Sequence, residues 1–226
     1  LAGGIARYAV DEEWIIPHFE KMLYDNIQYI NLLTKFYQKT KKKYYKKKLI
    51  QTINFINREF KNDENLYGSA YDADSEGIEG KYYVWSYEEL KKLLENDFAL
   101  FEKKYEISNT GNFEGKNILV ETKNKLNEEE QNKILNIEDK LIQERKKRIK
   151  PFFDDKSQTD LNAFIIDTLI STSIILDDDN LKYEAIKTLE LLNNKLSNKI
   201  YHCYDSTEID AFLEDYVYYA MLLVTL

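Results

Sequence analysis

The chain has a single cysteine, Cys203, and only two prolines, Pro17 and Pro151, in 226 residues. One thiol excludes an internal disulfide and a Cys-x-x-Cys redox pair. A reducing cytoplasm is the compartment that this cysteine usage fits, and no signal peptide is visible. Strong basic charge is also missing. The formal net charge is -8, which argues against a general nucleic-acid binder. No run of about 18 apolar residues stands out, so no membrane span is expected. Histidine is scarce: His18 and His202 are the only two.

What is present points to a folded protein. Hydrophobic residues make up 43% of the chain and aromatics 14%, enough for a sizeable core. Charged residues of both signs are mixed, as on a soluble surface. Pro17 suits the first turn of a helix, and the apolar spacing of Phe19, Met22, Leu23, Ile30, Leu33 and Tyr37 continues that helix to about 37. Asn26 falls on this apolar face and is expected to be buried with hydrogen-bond partners. A second helix is expected over 40–60. Its lysines at 41–43 and 46–48 read as a solvated face. Residues 62–80 read as loop and 82–85 as a short strand. Ser86 caps a helix reaching about 95, 105–121 is extended or irregular, and Asn127 caps a polar helix to about 149. An almost wholly apolar helix spans 159–176, and the aspartates at 177–179 break it. An amphipathic helix carrying Leu181, Ala185, Leu189, Leu192 and Leu196 comes next. A short strand is expected over 201–204, and a last helix begins near Glu208 or Ala211. Mostly helices with few strands suit stacked hairpins and not a parallel sheet.

Two segments are unusually dense in ionisable, aromatic and glycine residues. One runs from Gly3 through Arg7, Tyr8, Asp11, Trp14 and Pro17 to His18, Glu20, Lys21, Tyr24, Asp25 and Asn26. The other runs from Tyr71 through Asp72, Asp74, Glu76 and Gly77 to Glu79, Lys81, Tyr82, Tyr83 and Trp85. On the expected helix His18 and Asp25 are seven apart, within about 20° of each other and about 10 Å along the axis, so they flank a ligand instead of bonding. Histidine is the natural acid or base near neutral pH. Asp72, Asp74, Glu76 and Gly77 imitate the start of a calcium loop, but position twelve is Tyr83 and a strand is expected next. Two readings of this loop stay open. It offers carboxylates and flat aromatic faces to a sugar, or its acids cap local main chain. Gly111–Gly115 lacks the Lys-Ser or Lys-Thr of a phosphate loop and reads as a tight turn. Cys203 reads as packing. Glu214, Asp215 and Tyr216, in an apolar final helix, face either a central pocket or the rim.

Five ordered blocks carry a resemblance: 3–26, 70–85, 111–119, Asp154-Asp155-Lys156 with Thr159, Asn162 and Ala163, and Phe212-Leu213-Glu214-Asp215-Tyr216. The chain resembles the thioredoxin-domain-containing proteins that join a thioredoxin-like domain to an (α/α) toroid. The toroid is similar to N-acylglucosamine 2-epimerases and six-hairpin glycosidases. The resemblance implies an all-α fold: a partial (α/α) toroid of helical hairpins, with a short β or irregular excursion at about 62–121. It also implies that residues 1–226 are a fragment of one toroid domain, with the thioredoxin-like domain and the C-terminal part of the ring outside it. Leu161 stands where the family usually has Trp, which removes an aromatic wall.

The function expected is a carbohydrate or small-molecule pocket with sugar epimerase- or isomerase-like chemistry. His18 is the acid/base, with Asp25 as its catalytic companion. Arg7, Tyr8, Trp14, Glu20, Lys21, Tyr24, Asn26, Asp72, Asp74, Glu79, Lys81, Trp85, Asn162 and Asp215 are the substrate-binding candidates. His202, outside the dense blocks, is a poor second base. The alternatives are a glycosidase-like carboxylate pair, or a non-catalytic scaffold serving the attached thioredoxin-like domain. No metal, cofactor, nucleic acid or membrane is expected.

Overall fold

A computed structural model of the chain describes residues 1, 3–196, 199–203 and 209–226. The helices are α1 (Leu23–Thr40), α2 (Lys43–Glu59), α3 (Tyr87–Leu94), α4 (Phe98–Lys104), α5 (Glu128–Arg145), α6 (Thr159–Leu176), α7 (Asp179–Lys195) and α8 (Leu213–Thr225). The strands are short: β1 (Lys21–Met22), β2 (Ala70–Tyr71), β3 (Asp74–Ser75), β4 (Ile78–Glu79), β5 (Tyr105–Glu106), β6 (Val120–Glu121), β7 (Phe153–Asp154), β8 (Tyr201–Cys203) and β9 (Ile209–Asp210). The chain is mainly helical, as its periodicity requires.

Two compact units form. One gathers 6–20 and 72–152; the other gathers 3–5, 21–71 and 153–226. Of the stretch expected as an excursion, 62–121, residues 72–121 fall in the first unit together with α5, and residues 62–71 fall in the second.

In the helical unit α6 is central and packs on α1, α7 and α8, while α1 packs on α2. Leu23, Ile27 and Ile30 of α1 meet Ala163, Ile166 and Leu169 of α6 in one buried cluster. A three-stranded antiparallel sheet, ordered β1-β2-β7, ties the start of α1 to the segment before α6. By length and composition α6 is apolar enough to cross a membrane, although its threonines, serines and Asp167 interrupt the apolar run. With 61% of it buried among its neighbours, it is the core helix of this unit.

The other unit holds a second core, in which Trp85, Leu90, Phe101, Ile137 and Leu141 are buried together. Ser86 and Asn127 cap α3 and α5 as expected, and the structure adds that each cap is a full box, with Glu89 and Glu130 bonding back to the cap residue's N–H. Arg148 locks the end of α5. Its guanidinium lies 3.9 Å over the Trp85 ring, donates to the carbonyls of Tyr82 and Val84 at 3.0 and 2.7 Å, and pairs with Glu89 at 2.8 Å. That is why the helix stops at Arg145 and not near 149.

Other boundaries differ from the expectation for similar reasons. Residues 81–83 turn, with the Tyr83 and Val84 N–H groups on the Gly80 carbonyl, and within 82–85 only Trp85 forms a bridge, to Asn117. The final helix starts at Leu213; Tyr204 and Glu208 lie outside the described residues.

Candidate functional sites

The first dense segment is a hairpin and not the start of a helix. The Arg7 N–H donates to the Glu20 carbonyl, the His18 N–H to the Tyr8 carbonyl and the Val10 N–H to the Ile16 carbonyl. Asp11 closes the turn by accepting the N–H groups of Ile15 and Ile16. Burial works to raise its carboxyl, but these N–H bonds outweigh burial and hold it below the usual aspartate range. Pro17 bridges Ala9, and α1 begins only at Leu23. The helical spacing expected between His18 and Asp25 therefore does not exist: His18 lies in this hairpin, and Asp25 lies in the first turn of α1 in the other unit.

The hairpin does unite four of the expected residues. The Tyr8 and His18 rings stack at 4.5 Å, Arg7 pairs with Glu20 at 3.0 Å, and His18 Nδ1 lies 3.7 Å from the same Glu20 carboxylate. That last distance is too long for a hydrogen bond. Phe19 between them is buried at φ 52°, and the Glu20 N–H reaches back to the His18 carbonyl at 2.6 Å. A bulky residue in this conformation is strained and persists only where its surroundings enforce it. Gly80 supplies that surrounding: a Cβ there would lie 2.6 Å from the Phe19 ring.

The second dense segment forms the β3–β4 hairpin and lines a cleft of about 540 Å³ in the same unit as the first hairpin. Glu76, Glu79, Lys81, Tyr82, Phe113 and Arg148 are among its walls. Lys81 pairs with Glu76 at 2.7 Å, leaving the exposed Glu79 beside them. Asp72 caps the Asp74 N–H, and both side chains are exposed. The loop thus uses Asp72 to shape itself while it turns Glu79 and Lys81 towards the cleft. Trp14 stands out at 83% exposed.

Three expected binding residues have no free group to offer. Asn26 is fully buried; it accepts the Ile5 N–H and donates to the Ile5 and Met22 carbonyls. Asn162 is fully buried too. It accepts the Tyr67 N–H at 2.8 Å and donates to the Tyr67 and Gln158 carbonyls at 2.9 Å each. Trp85 is 1% exposed under Arg148. For Asn26 the expected burial holds, and the reason is main-chain satisfaction. Lys21 lies over the Phe55 ring, and Tyr24 is half-buried on α1.

His202 read from the sequence only as a poor second base. β8 is fastened to the start of α6: Thr159 Oγ1 donates to the Tyr201 carbonyl, and Cys203, which is buried as expected, bridges Gln158. This presents His202 to Asp215 of α8. The imidazole Nδ1 lies 3.1 Å from each Asp215 oxygen. Asp215 is wholly buried, and its oxygens also accept the N–H groups of Asp160 and Phe212. Donor atoms of Asp160, His202 and Asp215 lie within 4.8 Å of one another, a group able to hold a metal ion. The prior engagement of both Asp215 oxygens favours imidazole orientation as their role. Burial and the Asp215 charge push the Asp160 carboxyl up, against the Leu161 N–H and His202, which pull it down. The signal available in the sequence was only that a buried acid in an apolar helix needs a partner.

No family model matches the chain. The chain is similar to spermatogenesis-associated protein 20 of Homo sapiens, 28% identical over 79% of this chain and 27% of the relative. The mouse protein of the same name is 28% identical over 85% of this chain and 29% of its own length. An uncharacterized Caenorhabditis elegans protein, B0495.5, is 35% identical over 42% of this chain and 14% of its own. The chain thus spans less than a third of the length of these relatives.

Proposed function

We propose that this chain is part of a thioredoxin-domain-containing protein and that its cleft binds a carbohydrate. The observation that carries this reading is the lining of the cleft. Exposed carboxylates at Glu76 and Glu79 sit with Tyr82 and Phe113 around a space of about 540 Å³. Carboxylates accept hydroxyl hydrogen bonds, aromatic faces take the C–H face of a sugar ring, and the volume suits a small ligand. Lys81, paired with Glu76 at the same wall, gives the cleft a cation beside its carboxylates.

In this reading the helical hairpins belong to a ring, and the thioredoxin-like domain of the parent protein is the partner. Epimerase- or isomerase-like proton transfer is the finer proposal for His18, with Tyr8 stacked on its ring and Glu20 beside Nδ1. His18 is not among the residues lining the cleft, so binding and chemistry are tested separately. A thermal-shift screen against neutral, amino and acidic sugars tests binding. Ligand at a hundredfold over its dissociation constant adds roughly 2.7 kcal/mol. A shift with one sugar class that disappears in Glu79→Gln supports the cleft. No shift with any class removes the carbohydrate reading and leaves the scaffold role.

A further inference from the structure

Where α1 turns into α2, the helical unit carries a patch that neither the cleft nor the His202 cluster uses. We propose that this hairpin end docks on an anionic lipid bilayer, with its lysines against the headgroups and Phe36 and Tyr44 at the interface. This inference does not rest on the carbohydrate reading.

Residues 26–58 hold eight lysines and Arg58 but not one acidic residue. Set against the chain's net charge of -8, those nine cations leave -17 on the remainder. The lysines, at 35, 39, 41–43 and 46–48, gather at the end of α1, in the turn and in the first turns of α2. Those at 35, 39, 41–43 and 47 are exposed. Among the described residues none of the eight pairs with a carboxylate. α6 runs parallel to α1, because Asn31 bonds to Thr168 and Thr34 to Thr172. That brings Asp177, Asp178 and Asp179, in the α6–α7 turn, to the same end of the unit, and the eight lysines still outnumber them by five.

The fold keeps this charge against local preference. Lys41 caps α1 at φ 53°, a left-handed position where glycine is usual. Lys42 precedes α2 and Lys43 opens it, with no acid in the first turn, although a helix start favours negative charge. Stability alone would place glycine at 41 and an acid near 43. An anionic surface laid against this end relieves both the mutual repulsion of the lysines and the mismatch with the helix dipole. The sequence alone reads these lysines as a solvated face; their lack of counter-charges across the tertiary contacts is what the structure adds.

Aromatic rings are interleaved with the charge. Phe36 stacks on Tyr45 at 5.2 Å, and Tyr44 meets Tyr45 edge-on at 5.5 Å. Phe36 nevertheless stays 43% exposed and Tyr44 63%. Rings beside lysines at a blunt helix-pair end suit a bilayer interface, where aromatic side chains sit at the level of the headgroups. A cluster of about four to eight lysines on an amphipathic helix matches the negative potential of an anionic leaflet. α2 is such a helix: it buries Leu49, Ile53 and Ile56 and turns its lysines outward. Nucleic acid fits less well. Arg58 is taken by Glu59 at 2.7 Å, so the available cations are all ammonium groups, without the planar fork that reads phosphates and bases.

Vesicle co-sedimentation of the whole chain tests this. The vesicles are phosphatidylcholine alone, or phosphatidylcholine with about a third phosphatidylserine. Binding to the second kind only is expected, weakening as salt rises from about 0.05 to about 0.5 M. Lys39→Gln, Lys43→Gln and Lys47→Gln together are expected to lower the partition coefficient about a hundredfold, at roughly fivefold per lysine. These three side chains are exposed and bond to nothing, so the variant is expected to keep its far-UV circular dichroism and Tm. Tyr44→Ser is expected to weaken binding without changing its salt dependence, the mark of a ring seated in the interface. Lys92→Gln, Lys123→Gln and Lys125→Gln together remove the same charge from exposed positions in the other unit and are expected to leave binding unchanged. No binding to phosphatidylserine vesicles at low salt overturns the proposal, as does equal binding to phosphatidylcholine alone or an equal loss in the second triple variant. Tighter binding to single-stranded RNA or to polyglutamate than to the vesicles also overturns it and assigns the patch to that polyanion.

Discussion

Asn162 provides a sharp test of the division between structural and ligand-binding residues. Among the described residues its amide is the hydrogen-bond partner of the Tyr67 N–H, and its side chain is fully buried. Asn162→Ala removes three side-chain bonds at 2.8, 2.9 and 2.9 Å. The Gln158 carbonyl keeps the Asn162 N–H, so it is not orphaned. The Tyr67 N–H and carbonyl are, and both lie in a residue only 1% exposed. Each unsatisfied buried group costs about 1–3 kcal/mol, giving a loss of about 4 kcal/mol for the pair. In a chain of this size a kilocalorie moves Tm by about 2–4 °C, so a fall of about 8–16 °C is expected. Calorimetry or far-UV circular dichroism measures it. A Tm within about 2 °C of the parent would refute the reasoning, because it requires the Tyr67 main chain to find other partners. It would also return Asn162 to the set of ligand candidates.

Other substitutions probe the remaining links. Arg148→Lys keeps the charge but loses the planar stack on Trp85 and the fork to two carbonyls; a loss of about 2–3 kcal/mol is expected in chemical denaturation. Gly80→Ala forces a Cβ to within 2.6 Å of the Phe19 ring at φ 69°, and a loss of about 2 kcal/mol or more is expected, with disturbed His18 NMR signals as the local readout. Asp160 carries a raised carboxyl, so the folded state binds its proton more tightly than the unfolded chain. That contribution is fully present below the unfolded carboxylate pKa and is lost as pH rises through the folded value. Asp160→Asn should therefore flatten the Tm–pH profile above the usual carboxylate range and raise Tm at neutral pH. An unchanged profile refutes the burial-driven shift.

Local chemistry made much of the fold legible. The apolar period located α1, α2, α6 and α7, and α6 matches the expected bounds of 159–176. Ser86 and Asn127 announced their helices because a capping box is encoded within four consecutive residues. Asn26 was expected to be buried with partners and is. Pro17 misled because it fits a helix start by propensity, whereas the main-chain groups around it are taken by 7–10 in a hairpin. α4 went unread because its seven residues are too few to show a helical period.

The candidate sites were legible only in part. The first dense segment brings Arg7, Tyr8, His18 and Glu20 together, but through strand-like pairing and not through a helical face. The second places Glu79 and Lys81 at a cleft, while Trp85 is claimed by Arg148, 63 positions further along the chain by residue number. His202 looked isolated because its partners come from the starts of two different helices.

By itself the sequence determined the mainly helical character, the helix starts capped by Ser86 and Asn127, the buried amide of Asn26 and the wealth of chemistry in two segments. These follow from periods and caps that act within a few residues. Only the tertiary structure decided which ionisable groups meet. A buried carboxylate such as Asp215 must be satisfied by whatever main chain and imidazole the packing delivers to it. The Asp160 N–H and His202, 55 and 13 residues away, reach it because the start of α6, strand β8 and the start of α8 pack against one another.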